Sequence, residues 1–479
     1  MHNVIGTGKN LKNFIEHPYF QVKPVSSEEE ESRILEELNM ERNNSRGPNV
    51  EVDYYFEVIN TGTPMDGLKN AAKMIMEHGT LKPWHSEGSE NTKKPARYDE
   101  NMSWTTSIKL LGYNKKERLE AGLITIAYPL EFFDKQIKKF PLAQLLMAIA
   151  SEPVSAFSFY RGARIIDIRL PDILKKRLPG ILWPHKRIRK YLNLSEDEPI
   201  IGTIVKPKTG LTPSLFSDAV VQAAMAGAKF TKADENMHLT LRDIPRFVSR
   251  VVKDLKKEGF DLGRENEKPK GPRFLFAPHI TTDSEDIMDY AKAAIEAGAN
   301  ALMFSPYYSG GFLKMAEIAQ TFDVPVYSHT AGMNIITGST YWGISPAIMY
   351  LFAAYFGSAF MQLPAVNSYL KPDETEKALI LPRLQKEKLI GKEGMTLVIA
   401  GGLGPDNIGL NMKYLGIGGK MFLAGTSVYS HPDGPSSGVK ALILAYRAYI
   451  EKGITDISKL KQFAKSKGEE GNALLKALI

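Results

Sequence analysis

The chain has 479 residues, of which 43% are hydrophobic and 24% charged. That balance is ordinary for a globular enzyme, and the length suits two domains with a core large enough to need no staples. The complete absence of cysteine excludes disulfides, thiol nucleophiles and cysteine-bound metals, and it fits a reducing, cytoplasmic setting.

Residues 1–49 are polar, with the acidic run SSEEEES and the segment NNSRGP, and are expected to form a mobile or peripheral arm. The first residues lack the apolar stretch of a signal peptide. From residue 50 the pattern changes. VEVDYYFEV (50–58) reads as a strand, and MDGLKNAAKMIMEHG (65–79) has helical spacing and a glycine stop. LITIAYPLEFF (123–133) is a second strand, PLAQLLMAIASE a helix, and RIIDIRLP (164–171) a further strand. Residues 50–172 are therefore expected to form an α+β domain.

The net charge of +7 has one concentration, KKRLPGILWPHKRIRK at 175–190. A nucleic-acid patch and a solvated linker both look like this. Pro179-Gly180 and Pro184 interrupt any continuous basic helix, which favours a basic linker over residues 173–198 and no nucleic-acid partner.

Past residue 198 short apolar runs recur at 199, 228, 273, 301, 325, 359, 395 and 420, separated by helical segments. Eight strand–helix units over residues 199–445 predict an α/β fold, a (β/α)8 TIM barrel, followed by a helical tail at 446–479. A doubly wound sheet is the alternative. SPAIMYLFAAYFGSAFMQL (345–363) is uncharged, but Gly357-Ser358 divides it, so a buried helix leading into a buried strand is expected rather than a membrane span.

Barrel enzymes carry their chemistry at the C-terminal ends of the strands. Here those ends present Lys206, Lys208, Lys232, Asp234, Glu235, His279, His329, Gln362, Gly401-Gly402 and Gly425-Thr426. Asp234 and Glu235 are hard oxygen ligands suited to Mg2+, and Glu235 joins Asp234 only if the strand ends between them. A protonated Lys232 would repel the ion. Lys232 and Asp234 therefore form either a plain ion pair, or a metal site in which CO2 has converted the lysine into an anionic carbamate. The glycines after strands 7 and 8 suit a phosphate held by backbone N–H groups, or tight turns alone. Lys206 and Lys208 share a face across Pro207. Crowded near a metal, one of them would carry protons near neutrality, or both would attract an anionic substrate.

GTIVKPKTGLTP (202–213) followed by GAKFTKADEN (227–236) resembles the RuBisCO superfamily, whose first two barrel strands carry G-T-I-x-K-P-K-x-G-L and F-x-K-x-D-E. The likeness runs from about residue 50 to about 450 and includes IAYPLEFF and SHPDGPSSG. It implies a CO2-derived carbamate on Lys232 that binds Mg2+ with Asp234 and Glu235. It also implies a homodimer whose active site borrows residues from the partner's N-terminal domain. Three departures bear on substrate: Thr330 follows His329 where the carboxylases have arginine, Gln362 replaces a histidine, and Ala400 replaces a serine. Those family positions grip the second phosphate of a bisphosphate, whereas the Gly402/Gly425 cradle is kept. Lys371 matches the family's loop lysine only with a shifted alignment, and Glu152 stands where the carboxylases present an asparagine to the partner's substrate. Glu152 would relay protons, or simply end a helix.

The resemblance thus implies a RuBisCO-like enolase or isomerase acting on a ketose-type sugar monophosphate through an enediolate, without CO2 fixation. Decarboxylation or transcarboxylation of a β-keto sugar-acid phosphate such as 3-oxo-isoapionate 4-phosphate, genuine ribulose-bisphosphate carboxylation, and non-catalytic binding of a phosphorylated metabolite stay open.

Overall fold

The computed structural model describes residues 24–39, 47–60, 62–80, 102–133, 140–196 and 198–479. Much of the polar N-terminus, residues 1–23 and 40–46, thus lies outside the described residues. The chain divides into two compact units: one holds Pro179–Asn334 and Tyr350–Ile479, and the other holds the described residues up to Leu178 together with Ile335–Met349.

The N-terminal unit is a five-stranded sheet in which β1 (Asn49–Ile59), β2 (Trp104–Asn114), β3 (Leu119–Pro129) and β4 (Tyr160–Arg169) pair antiparallel with one another in the order β4-β1-β3-β2. Alternation in β1 buries Val50, Val52, Tyr54, Phe56 and Val58, the pattern of a strand with one face in the core. Helix Asp66–Thr80 buries Leu68, Ala71, Ala72 and Ile75. The acidic run expected in a mobile arm instead begins the helix Glu28–Asn39, where four glutamates fill the first turn and favour its positive end. Ile34 is buried, and Asn39 Nδ2 donates to the Thr105 carbonyl at 2.9 Å, tying the helix to β2. The fifth strand, β10 (Trp342–Ile344), comes from the later chain and runs parallel to β4 at the sheet edge.

The second unit is the eight-stranded barrel. Its strands are β5 (Ile201–Ile204), β6 (Phe230–Lys232), β7 (Leu275–Ala277), β8 (Leu302–Phe304), β9 (Val326–Ser328), β11 (Phe360–Pro364), β12 (Thr396–Ala400) and β13 (Lys420–Ala424). All their pairings are parallel, in the order β7-β6-β5-β13-β12-β11-β9-β8. The ring closes through a parallel bridge between His279 and Met303, where Met303 N donates to Pro278 O at 2.9 Å. Each strand falls at one of the eight apolar runs. They read as continuous runs because strands covered on both faces are buried at nearly every position. The uncharged stretch at 345–363 becomes helix Pro346–Tyr355 and strand β11, and no helix among the described residues is long and apolar enough to cross a membrane.

The basic stretch expected as a solvated linker is partly packed. Helix His185–Leu192 presents Ile188, Tyr191 and Leu192 at spacings of three and four, and these join Trp183 in the barrel's core cluster. Arg187 lies 3.8 Å over the Trp183 ring and pairs with Glu265 at 2.8 Å and Asp323 at 3.0 Å. Helix Gly434–Lys452 runs past residue 445, and helices Ile457–Ser466 and Asn472–Ala477 follow it.

Candidate active site at the barrel rim

β6 ends at Lys232, and the chain turns at Glu235-Asn236. That early stop lets Asp234 and Glu235 face one space, although neighbouring strand residues point apart. The turn is held by Asp234, whose Oδ1 accepts from Asn236 N at 3.0 Å and whose carbonyl accepts from Met237 N at 3.1 Å.

Asp234 is 1% exposed, and its Oδ2 is ion-paired with Lys206 Nζ from the end of β5. Asp234's direct partner is therefore Lys206, not the Lys232 that a plain pair within FTKADE would require. Burial pulls the Asp234 carboxyl upward, but the Lys206 ammonium and the Asn236 N–H hold it below its ordinary value. Lys208 does not share this environment, because it is exposed beyond Pro207.

Lys232 is fully buried. Its Nζ donates to Ala233 O at 3.2 Å, stands 3.9 Å from Glu235 Oε2 and lies 5.4 Å from the centre of the Tyr327 ring. Burial pushes the amine down to about 8, against the opposing pull of Glu235 and Asp234. His329, just past β9, accepts from Ala331 N at Nδ1 (3.0 Å) and places Nε2 3.5 Å from Glu235. The acceptor role of Nδ1 leaves the proton on Nε2. Burial, followed by the repulsion of Lys232, holds His329 well below its usual range, so its neutral form is favoured.

Tyr327 is not among the expected site residues, although it lies on β9 two positions before His329. Its hydroxyl donates to Gln362 Oε1 at 3.0 Å, and the Gln362 carbonyl accepts from Tyr350 at 2.5 Å. Gln362 is thereby fixed within the core, while Thr330 is half-buried. Beside Glu235 the rim opens into a cavity of about 600 Å3 lined in part by His238, His279, Ser305 and Tyr308. His279 Nδ1 donates to Met237 O at 3.3 Å, and burial lowers the imidazole to about 4.

After β12, Gly401 and Gly402 both have positive φ (79° and 78°), which aligns successive backbone groups in a concave turn. A Cβ at Gly401 would meet Leu370 Cδ1 at 2.4 Å. The turn is braced by Asn407 Nδ2, which donates to Gly402 O at 2.7 Å. A Cβ at Gly425, after β13, would stand 3.3 Å from Lys206 Cε, so this turn borders the lysine. Thr426 is exposed at the start of helix Thr426–Tyr429. Glu152 belongs to the other unit, exposed in the short helix Glu152–Ser155.

No group of three His, Asp or Glu side chains among the described residues is placed to hold a metal. Two carboxylates do converge beside a fully buried amine, and CO2 addition to that amine would supply the third oxygen donor that a hard cation needs. The donor set therefore fits Mg2+ if Lys232 is carbamylated.

Residues 186–475 match the profile of the ribulose bisphosphate carboxylase large chain, catalytic domain. A ribulose bisphosphate carboxylase of Methanocaldococcus jannaschii is 26% identical over 81% of this chain and 89% of its own. A 2,3-diketo-5-methylthiopentyl-1-phosphate enolase of Bacillus pumilus is also 26% identical, over 66% of this chain and 74% of its own. The octameric ribulose-1,5-bisphosphate carboxylase/oxygenase of Pyrococcus horikoshii superimposes with a TM-score of 0.73 at 22% identity, covering 91% of this chain and 94% of its own. Since the profile spans well over half of its length, this protein belongs to the ribulose bisphosphate carboxylase large-chain family.

Proposed function

We propose that this chain is a RuBisCO-like enolising enzyme: it moves a proton at the carbon beside the carbonyl of a sugar-type monophosphate and does not fix CO2. The observation that carries this reading is the fully buried Lys232 amine, set beside Glu235 and the Lys206–Asp234 pair.

Carbamylated Lys232, Asp234 and Glu235 would hold Mg2+, which when bound supplies a Lewis acid that polarises the substrate carbonyl. Lys206 is half-buried between Asp234 and the Gly425 turn, a position from which its ammonium can hold a proton beside a substrate oxygen. His329, neutral with its proton on Nε2, can donate a hydrogen bond to a substrate oxygen. Exposed Lys208 attracts the anionic substrate. The backbone N–H groups at Gly401, Gly402, Gly425 and Thr426 cradle its single phosphate.

Two uncharged rim residues, Thr330 and Gln362, argue against a bisphosphate. Thr330 carries no charge, and Gln362 is already engaged by Tyr327, so neither replaces a bidentate cation. The enolase from Bacillus pumilus makes 2,3-diketo-5-methylthiopentyl-1-phosphate the first substrate to try. With Mg2+ and bicarbonate, the enol should accumulate, and ribulose 1,5-bisphosphate should incorporate no labelled carbon. Steady carboxylation of ribulose 1,5-bisphosphate would overturn the proposal. By the same family reading the protein acts as a homodimer with shared sites, in keeping with the octameric assembly of the Pyrococcus relative.

A further inference from the structure

The N-terminal ends of barrel strands ordinarily serve stability rather than function. Here they border a concavity. Helix His185–Leu192 and the residues leading into β5 and β13 line a cavity of about 660 Å3, the size of a site for a drug-sized or nucleotide-sized ligand.

Its walls carry Lys186, Arg189, Lys190, Lys392 and Lys420 against two carboxylates, Glu196 and Glu198. The acids are already engaged. Glu196 pairs with Lys392 at 3.2 Å, and Glu198 Oε2 accepts from the Ser195 N–H at 2.9 Å and its hydroxyl at 3.1 Å. Lys186 pairs with Glu393. Three cations make no close ion pair with a carboxylate among the described residues, although Arg189 lies near enough to Glu196 and Glu198 to help lower both carboxyls. Arg189 Nη2 donates to the Glu198 carbonyl at 3.0 Å, Lys420 Nζ donates to the Gly418 carbonyl at 3.0 Å, and Lys190 is exposed.

Like charges around one concavity repel, and a half-buried ammonium without an anion is destabilising. Burial pushes Lys420 down to about 8, consistent with that cost. A bound polyanion would offset both effects. Among the apolar residues of its lining, Ile200 and Phe422 are buried, whereas Ile450 is half exposed and offers an apolar surface to a ring. A neighbouring cavity of about 380 Å3 shares Glu198, Pro199, Tyr446 and Ile450 and adds Lys229, Arg447 and Glu451, with Arg447 paired to Glu470 at 2.9 Å, so the excess of free cations is confined to the first opening.

We propose that this cavity is a second ligand site, for a small phosphorylated metabolite of nucleotide size. Its phosphates meet Arg189, Lys190 and Lys420, and its apolar portion lies against Ile450. This site is independent of the rim chemistry proposed above.

The test is calorimetric titration of the full chain with ATP, pyrophosphate and inorganic phosphate at about 0.1 M salt, where surface charges alone are largely screened. ATP should bind saturably and more tightly than either inorganic anion. Its affinity should fall about tenfold or more in the Arg189→Gln/Lys420→Gln variant, as loss of charge-assisted hydrogen bonds requires, and stay unchanged in Lys232→Ala. Should the double variant fail to melt cooperatively, the exposed change Lys190→Glu takes its place. No saturable binding, or equal affinity in the cavity variants, would overturn the assignment. So would loss of binding in Lys232→Ala, which would locate the ligand at the rim. ATP binding no tighter than pyrophosphate would remove the apolar contact and with it the nucleotide-sized ligand. A short oligonucleotide that outcompetes ATP would make the surface a nucleic-acid face, which also overturns the proposal.

Discussion

Lys232 is an amine held where its charged form is disfavoured, with its side chain wholly out of water and the nearest carboxylate oxygen 3.9 Å away. A neutral amine reacts with CO2, whereas an ammonium ion does not, so burial would favour the proposed carbamylation. Lys232→Ala is expected to lower kcat/KM for enolisation by about three orders of magnitude, by removing an oxygen ligand and its electrostatic support at once. With isotope-labelled bicarbonate, a carbamate carbonyl resonance should appear in the unaltered protein and be missing from the variant. A second titration belongs to the opposite face. His185 is buried with Nδ1 2.9 Å from Thr396 Oγ1, and burial, with the repulsion of Arg189, lowers it to about 4 from 6.5. The unfolded chain therefore gains this proton near pH 6.5 and the folded chain only near 4. Its contribution to stability is complete above 6.5 and is lost as the pH falls toward 4. In His185→Gln, urea midpoints measured at about pH 7 and about pH 5 should lie closer together than in the unaltered protein.

Elements position these residues through where they stop. β6 is three residues long, and its early end converts the alternation of Lys232, Asp234 and Glu235 into a shared mouth. The turn after β12 works by conformation rather than charge, since Gly402 has φ 78° and a Cβ there would meet Ser368 Oγ at 3.2 Å. Gly402→Ala should cost about 1 kcal/mol of stability from the left-handed backbone. If the turn cradles the substrate phosphate, KM should rise about tenfold with kcat little altered, as read by steady-state kinetics beside a urea melt. Local pattern failed where pairing is irregular. β2 escaped notice because register breaks between Thr105 and Ser107 and between Leu110 and Gly112 disrupt its alternation. β10 escaped because Trp342 and Gly343 are exposed and the strand exists only through its pairing with β4. The helix Glu28–Asn39 looked like a solvated arm because a single isoleucine, Ile34, anchors it in the core.

For the whole molecule, a shared active site makes a prediction that isolated chains cannot satisfy. If Glu152 of one chain completes the site containing Lys232 of the other, Lys232→Ala and Glu152→Gln should each be inactive alone. Mixed and reassorted, they should regain about a quarter of the unaltered activity, because half of random twofold dimers are mixed and each mixed dimer has one intact site. Light scattering should find dimers or multiples of dimers throughout, and no recovery on mixing would place each site within one chain. The order of eight strands, the convergence of Lys206, Lys232, Asp234 and Glu235 on one rim and the glycine turns after β12 and β13 were all legible in the sequence. They follow from short-range rules: buried parallel strands read as apolar runs, and strand ends define the rim. Tertiary structure alone decided that Asp234 pairs with Lys206 rather than Lys232, that Tyr327 immobilises Gln362, and that the basic stretch at 175–190 folds partly into the barrel floor. Each of those outcomes joins residues far apart in the chain, and spacing along one strand carries no information about what the neighbouring strand brings.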